Sequence, residues 1–138
     1  MTDTSPTEIS PSKVTTAPTG VPTIRVIAMP ADTNPSGDVF GGWLMSQMDL
    51  AAGTLAALRA RGRCVTIAVE RLTFHQPVLV GDEVSLYSSL LKTGRTSMEI
   101  HVEAWRRARH SDETEKVTEG VFTFVALDSQ RKPRPLSM

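Results

Sequence analysis

A carboxylate and a glycine-rich turn form the part of the sequence best suited to chemistry. Asp49 lies within an apolar stretch, between Met48 and Leu50. Burying an ionised carboxylate without partners is costly, so Asp49 must be paired, hydrogen-bonded, close to water or protonated. Gly41 and Gly42 begin the same stretch, and glycines there let another group approach the main chain and its free N–H groups. A helix start that receives an oxygen, with a carboxylate about two turns further on, indicates a hydrolytic site.

The segment that carries these residues predicts a long buried helix. From 43 to 58, apolar side chains cover most of the helical circumference, and a helix that is apolar all round is a buried one. A helix of roughly 18 residues is about 27 Å long. Arginines end the apolar run, and Gly62 is expected to supply the stop. The segments that follow must therefore wrap this helix.

Strand patterns precede and follow the helix. The strands are expected at 24–29, 64–74, 83–92, 95–107 and 116–128. Within 64–74 the apolar alternation changes phase, which indicates a bulge near Glu70 or Arg71. Antiparallel strands around one helix would cover its apolar surface and leave a sheet face or edge for another subunit.

Length and composition limit the class of protein. The 138 residues suit one domain, and the 15 basic and 15 acidic residues balance, which excludes a basic field for nucleic acid. Residues 1–20 are dominated by Thr, Ser and Pro and predict a disordered arm, which leaves 21–138 as a single domain. We expect no membrane span, no signal peptide and a cytoplasmic location, because no apolar run is long enough and Cys64 has no internal partner.

The sequence resembles the hotdog-fold acyl-CoA thioesterases, most closely the bacterial YciA-type enzymes. The resemblance runs from about 29 to 134 and rests on DTNPSGDVFGGWLMSQMDLAAG, VTIAVERLTFHQPVLVGDEV, TGRTSMEIHVEAW and VTEGVFTFVALD. It implies an α+β hotdog fold, in which an antiparallel β-sheet wraps a long central helix. It also implies acyl-CoA as substrate and a homodimer with a continuous sheet and shared active sites, assembled as a trimer of dimers.

The same resemblance implies the catalytic residues. The acidic catalytic residue of the family falls on Asp49, its loop asparagine on Asn34, and its glycine-rich helix entry on Gly41 and Gly42. Asp49 would act as general base to a water or attack the carbonyl itself to form an anhydride, and the sequence leaves both open. Backbone N–H groups at the helix start would polarise the carbonyl, and Asn34 or Gln47 would orient the water or the carbonyl.

Coenzyme A carries phosphate groups, so cations and backbone donors are expected along its path. A turn between two predicted strands and the end of the second strand supply candidates. These residues are Gly94, Arg95, Thr96, Ser97, Arg106 and Arg107. An ordinary solvated hairpin and strand end would explain the same residues. Coenzyme A is expected only as part of substrate and product, with no separate cofactor.

Two other functions fit the same pattern. A hotdog dehydratase would need a histidine paired with an acid at the site, and no histidine lies in the loop or helix. A non-catalytic acyl-CoA binding module would be expected to lack Asp49 or the glycine entry, and both are present. Cys64 fits a buried structural thiol better than a nucleophile. His75, His101 and His110 lack metal-ligand spacing, so no metal is expected.

Overall fold

The computed structural model describes residues 17–136, so most of the predicted disordered arm lies outside the described residues. One long helix and five strands follow one another along the chain, with a short 3₁₀ turn at Pro30–Asp32. The elements are β1 (Ile24–Ile27), α1 (Gly41–Ala60), β2 (Cys64–Phe74), β3 (Glu83–Thr93), β4 (Ser97–Arg107) and β5 (Thr114–Ala126). No helix in this part of the chain is both long enough and apolar enough to cross a membrane.

The five strands form one antiparallel sheet in the order β1-β3-β4-β5-β2. The helix packs on one face of it, and buried residues of α1, β3, β4 and β5 form the core. This architecture confirms the predicted helix wrapped by an antiparallel sheet. The prediction for β2 was exact, whereas β5 begins two residues earlier than expected, because Thr114 and Glu115 already pair with the end of β4.

The bulge predicted in β2 is present. Its register against β5 shifts between Glu70 and Thr73, where Arg71 adopts a left-handed backbone conformation with φ of 53°. A second shift, between Thr66 and Ala68, was not predicted. Bulges bend a strand and increase its twist, so they help β2 to curve along the helix.

The prediction that α1 is buried all round is wrong for a single protomer. Leu44, Met48 and Ala52 face the sheet and are buried, but Leu50 is 57% exposed and Leu58 is 72% exposed. The physical reason is that one five-stranded sheet covers only one side of a helix. The apolar side chains on the other side are not covered by any part of residues 17–136.

The end of α1 also differs from expectation. Arg61, not Gly62, adopts the left-handed conformation that closes the helix, and its N–H donates to the Ala57 carbonyl. Gly62 instead makes room for Arg134, whose guanidinium donates to the Ala60 carbonyl at 2.6 Å. A Cβ on Gly62 would lie 2.9 Å from that same guanidinium nitrogen. The glycine therefore permits a side-chain cap on the last turn.

Candidate active site

Asp49 lies near the middle of α1 and is half-buried. Its Oδ1 accepts a hydrogen bond of 2.6 Å from the Thr66 hydroxyl on β2. Within residues 17–136 this is the hydrogen bond that holds the carboxylate. A single donor fixes the position of Asp49 and leaves acceptor capacity for a proton or a water.

The start of α1 presents donors without a side-chain cap. Phe40 is the N-cap residue, and no side-chain hydrogen bond caps the helix there. The Leu44 N–H is bonded back to the Phe40 carbonyl at 3.3 Å, so the free N–H groups of the first turn precede it. With the partial positive charge of the helix end, these groups suit an oxygen that gains negative charge.

The two glycines at this start differ in their surroundings. A Cβ on Gly41 would lie 3.4 Å from the ring of Phe74, so this glycine packs against the end of β2. A Cβ on Gly42 would meet no heavy atom within 4 Å. The free space over the helix start therefore lies at Gly42. Beside it, Phe40, Leu44 and the segment 74–78 line a groove of about 290 Å³.

Asn34 organises the loop that leads into the helix. Its side-chain oxygen accepts hydrogen bonds from the N–H groups of Ser36 at 2.9 Å and Asp38 at 3.2 Å. Its own N–H donates to the Asp38 carbonyl at 2.7 Å. The oxygen of Asn34 is therefore used within the loop, and the amide nitrogen is the part of this side chain suited to a substrate. Its predicted catalytic contact stays a prediction.

One protomer does not bring the carboxylate and the helix start together. Asp49 lies eight residues beyond Gly41, which is roughly 12 Å along the axis at 1.5 Å per residue. The free N–H groups point away from the body of the helix, so an oxygen bound to them lies further still from Asp49. A thioester group spans far less, since base and donors must each lie about 3 Å from the reacting atoms.

The residues predicted to contact coenzyme A lie at opposite ends of the sheet. The turn 94–97 joins β3 to β4, where the Gly94 N–H donates to the Ser97 carbonyl at 2.9 Å. Thr96 is joined to the end of β5, since its carbonyl accepts from the Ala126 N–H. Arg106 and Arg107 lie at the other end of β4. One coenzyme A can meet both groups only if different protomers supply them or if it extends along the whole strand.

Arg106 and Arg107 are bound within the protein. The guanidinium of Arg106 donates to Glu115 at 2.7 and 3.0 Å and to Asp82 at 3.0 Å. Burial disfavours its charge, but hydrogen bonds and charge attraction from Glu115 and Asp82 outweigh this effect and raise the pKa of Arg106. Arg107 pairs with Glu83 and donates to backbone carbonyls of the following loop. The structure therefore gives both arginines a stabilising role, and their contact with coenzyme A stays a prediction.

We expect Arg106→Met to lower the free energy of unfolding by about 3 kcal/mol, because it removes the cation that the largely buried carboxylates of Asp82 and Glu115 share. Urea denaturation of the parent and the variant measures this difference. Arg109→Met, in the exposed loop after β4, is the matched control and should change stability by less than about 0.5 kcal/mol. A loss from Arg106→Met as small as that of the control would contradict the stabilising role.

Sequence reasoning missed Thr66 and the true orientation of β2. The apolar alternation in β2 falls on Val65, Ile67 and Val69, and these side chains are exposed. Thr66, between them, faces α1 and binds Asp49. Thr66 occupies the alternate phase of this pattern, which is the phase that the apolar alternation assigns to solvent, so no signal in the sequence marks its contact with Asp49.

A long helix packed on one antiparallel sheet is the arrangement of the hotdog fold. The sequence profile of the Thioesterase superfamily matches residues 36–112. This is more than half of the chain, and the chain therefore belongs to this superfamily.

The individual relatives show that, within this superfamily, the chain is similar to YciA-type enzymes. An uncharacterised acyl-CoA thioester hydrolase of Zymomonas mobilis is 61% identical over 117 residues, which are 85% of this chain and 78% of the relative. The acyl-CoA thioester hydrolase YciA of Escherichia coli is 48% identical over 122 residues, covering 86% of this chain and 92% of the relative. The resemblance inferred from the motifs is therefore confirmed.

A solved structure supports the fold. The chain superposes with a TM-score of 0.82 and 47% identity on an aspartate-to-alanine variant of HI0827, a hexameric broad-specificity acyl-coenzyme A thioesterase. The match covers 86% of this chain and 88% of the other. The hotdog fold expected from the sequence is thus confirmed.

Proposed function

We propose that this protein hydrolyses acyl-CoA thioesters to a carboxylic acid and free coenzyme A, in active sites shared by two protomers. The acyl-CoA thioester hydrolases to which it is similar support the reaction. One observation supports the sharing. Asp49 lies roughly 12 Å along the helix axis from the N–H groups that must polarise the carbonyl. Among residues 17–136 the start of α1 is too far from Asp49, whereas a second copy can place its own helix start beside it.

The protomer has an unpaired strand edge and exposed apolar side chains that suit contact with a second copy. β2 is an edge strand, and it carries the exposed apolar side chains of Val65, Ile67 and Val69. On the side of the sheet that carries α1, the uncovered side of the helix exposes Leu50 and Leu58. Two β2 edges can pair in antiparallel fashion to continue the sheet, which removes an edge that would otherwise favour aggregation. The twofold symmetry of such a dimer makes each contact occur twice, so it forms two equal sites.

In this dimer the two protomers contribute different groups to each active site. Free N–H groups over Gly42 of one protomer bind the carbonyl oxygen and stabilise the charge that develops on it. Asp49 of the other takes a proton from a water, whose oxygen attacks the carbonyl carbon and displaces the coenzyme A thiolate. The thiolate then takes up the proton. Direct attack by Asp49 would instead form an anhydride, which water opens in a second step. Thr66 holds the carboxylate in either case.

We also infer three properties that accompany this activity. The dimers assemble further into a trimer of dimers, as the hexameric HI0827 supports. The reaction uses no metal or cofactor, because a base, a water and backbone donors complete it, and coenzyme A enters as part of the substrate. The enzyme acts in the cytoplasm, which its single thiol, Cys64, fits.

The test is the release of free thiol from a panel of acyl-CoA esters, from acetyl to palmitoyl. Hydrolysis of several esters is expected, and the panel also gives the chain preference. Equilibrium binding of the same esters is measured in parallel. Binding without hydrolysis of any ester would contradict the proposal and favour an acyl-CoA binding module.

Arg95 is the cation that we expect to contact coenzyme A. It is exposed in the turn 94–97, and no hydrogen bond or ion pair holds its guanidinium among residues 17–136. We expect Arg95→Ala to raise the KM about fivefold and to leave kcat nearly unchanged, because a phosphate contact binds ground state and transition state equally. Steady-state kinetics measures both constants. Arg59→Ala, an exposed arginine on α1, is the control, and an equal KM for both variants would remove Arg95 from the site.

A further inference from the structure

The sheet face opposite α1 carries a compact cluster of charged side chains. Met98, Ile100 and Val102 of β4 point into the core, so the alternate residues His101 and Glu103 lie on the opposite face. Glu119 of β5 joins them there, and its carboxylate lies 3.2 Å from the His101 ring. Side chains of the three residues are only 22–30% exposed.

The ligand-type atoms of this cluster converge. One ring nitrogen of His101 and one carboxylate oxygen each of Glu103 and Glu119 lie within 4.8 Å of one another. Two of the residues come from β4 and the third from β5. Sequence spacing therefore could not reveal the cluster, because the pairing of the two strands assembles it.

The positions of the two glutamates are electrostatically unfavourable. Glu103 and Glu119 lie directly opposite each other in the pairing of β4 with β5, and like charges in that relation are destabilising. The Lys116 ammonium partly compensates, at 3.4 Å from Glu119 and 4.0 Å from Glu103. The sheet thus holds two carboxylates around a position that attracts a cation.

Neighbouring groups orient both carboxylates. His75 is hydrogen-bonded to the second oxygen of Glu119 at 3.0 Å, and the Trp105 indole N–H donates to Glu103 at 2.9 Å. Burial alone would raise the pKa of Glu119, but hydrogen bonds with the two histidines and the nearby Lys116 outweigh it and lower that pKa. Outer partners of this kind position the ligands of metal sites.

We propose that His101, Glu103 and Glu119 bind one divalent transition-metal ion per protomer, with Zn²⁺ as the best fit. Imidazole nitrogen and carboxylate oxygen are both ligand types that zinc takes in proteins, and a water in the fourth position would complete a tetrahedral coordination. Lys116 must move outward when the ion binds, because both cations interact with the same carboxylates. Asp49 and the helix start lie on the other side of the sheet. The site is thus separate from the thioester chemistry and would tie β4 to β5.

The test is isothermal titration of the full chain with zinc chloride in a buffer that does not chelate metals. We expect one Zn²⁺ per protomer. His101→Ala and Glu119→Gln should each weaken binding by at least about tenfold. Lys116→Met should strengthen binding, because it removes the competing ammonium. His110→Ala, in the exposed loop after β4, is the matched control and should bind zinc like the parent.

A loss of zinc binding could come from misfolding, but a gain in affinity could not. The gain expected for Lys116→Met therefore tests the site separately from protein stability. Thermal melting of each variant without metal checks its fold. Three results would each overturn the site: no zinc binding by the parent, equal affinity in the parent and His101→Ala, or no gain from Lys116→Met. Cobalt absorption in the visible range then reports the coordination number of the bound ion.

Discussion

Replacing Asp49 by asparagine is expected to lower the turnover number at least about a hundredfold, because the amide cannot take the proton from water. The substitution keeps the shape of the side chain, and its oxygen can still accept the hydrogen bond from Thr66. The oligomer should therefore remain intact. The same loss is expected if Asp49 is the nucleophile, because an amide oxygen attacks poorly.

Thiol release from the best ester of the panel measures this effect, and light scattering checks the oligomer. Asp112→Asn, in the exposed loop between β4 and β5, is the matched control and should keep parental turnover. Turnover of Asp49→Asn close to that of the control would remove Asp49 from the chemistry and leave it as a structural aspartate.

The second large effect is expected from Ile67→Glu on the edge strand β2. Ile67 is 58% exposed in the protomer, so the glutamate costs little in a single chain. In the proposed dimer it would bring like charges together across the twofold axis and remove apolar contact. We expect dissociation to monomers and loss of turnover by at least about a hundredfold, because Asp49 then loses its oxyanion donors.

Size-exclusion chromatography with light scattering measures the mass, and thiol release measures the turnover. Val21→Glu replaces an apolar side chain that is even more exposed and precedes β1, at the opposite edge of the sheet from β2. It should leave mass and turnover unchanged. A monomeric Ile67→Glu variant that still hydrolyses acyl-CoA would show that one protomer is sufficient.

The strands could be predicted well from the sequence because alternation is a local property. Strand β2 was exact, and its phase change located the bulge at Arg71. The direction in which its side chains point could not be predicted. Val65, Ile67 and Val69 alternate as core residues do, yet they face away from the core of their own chain. A pattern of apolar residues reports burial in the assembly and does not tell which chain covers them.

The candidate site, too, could be predicted only in part. Asp49 and the glycine entry could be selected as candidates by residue type, because a carboxylate is unusual in an apolar helix, and their roles stay predictions. Thr66 was missed because its contact with Asp49 depends on how β2 lies along α1. The end of α1 was predicted wrongly at Gly62, since the approach of Arg134 depends on a segment more than 70 residues further along the chain. Contacts between residues that are far apart in the sequence depend on tertiary packing and not on local conformational preference.

In the proposed dimer each active site combines Asp49 of one protomer with the helix start of the other. Subunit complementation between Asp49→Asn and Gly42→Val tests this arrangement most directly. A side chain at Gly42 meets nothing within 4 Å in its own protomer, so this variant should fold while blocking the N–H groups. Each variant alone has a defect in every site and should be inactive.

When equal amounts are unfolded together and refolded, half of the dimers are mixed. One of the two sites in each mixed dimer then contains an intact Asp49 and an intact helix start. We therefore expect thiol release to recover to about a quarter of the parental rate, as twofold symmetry requires. If both groups acted within one protomer, every site would keep a defect. A refolded mixture as inactive as its components, with mixed dimers present, would contradict this arrangement.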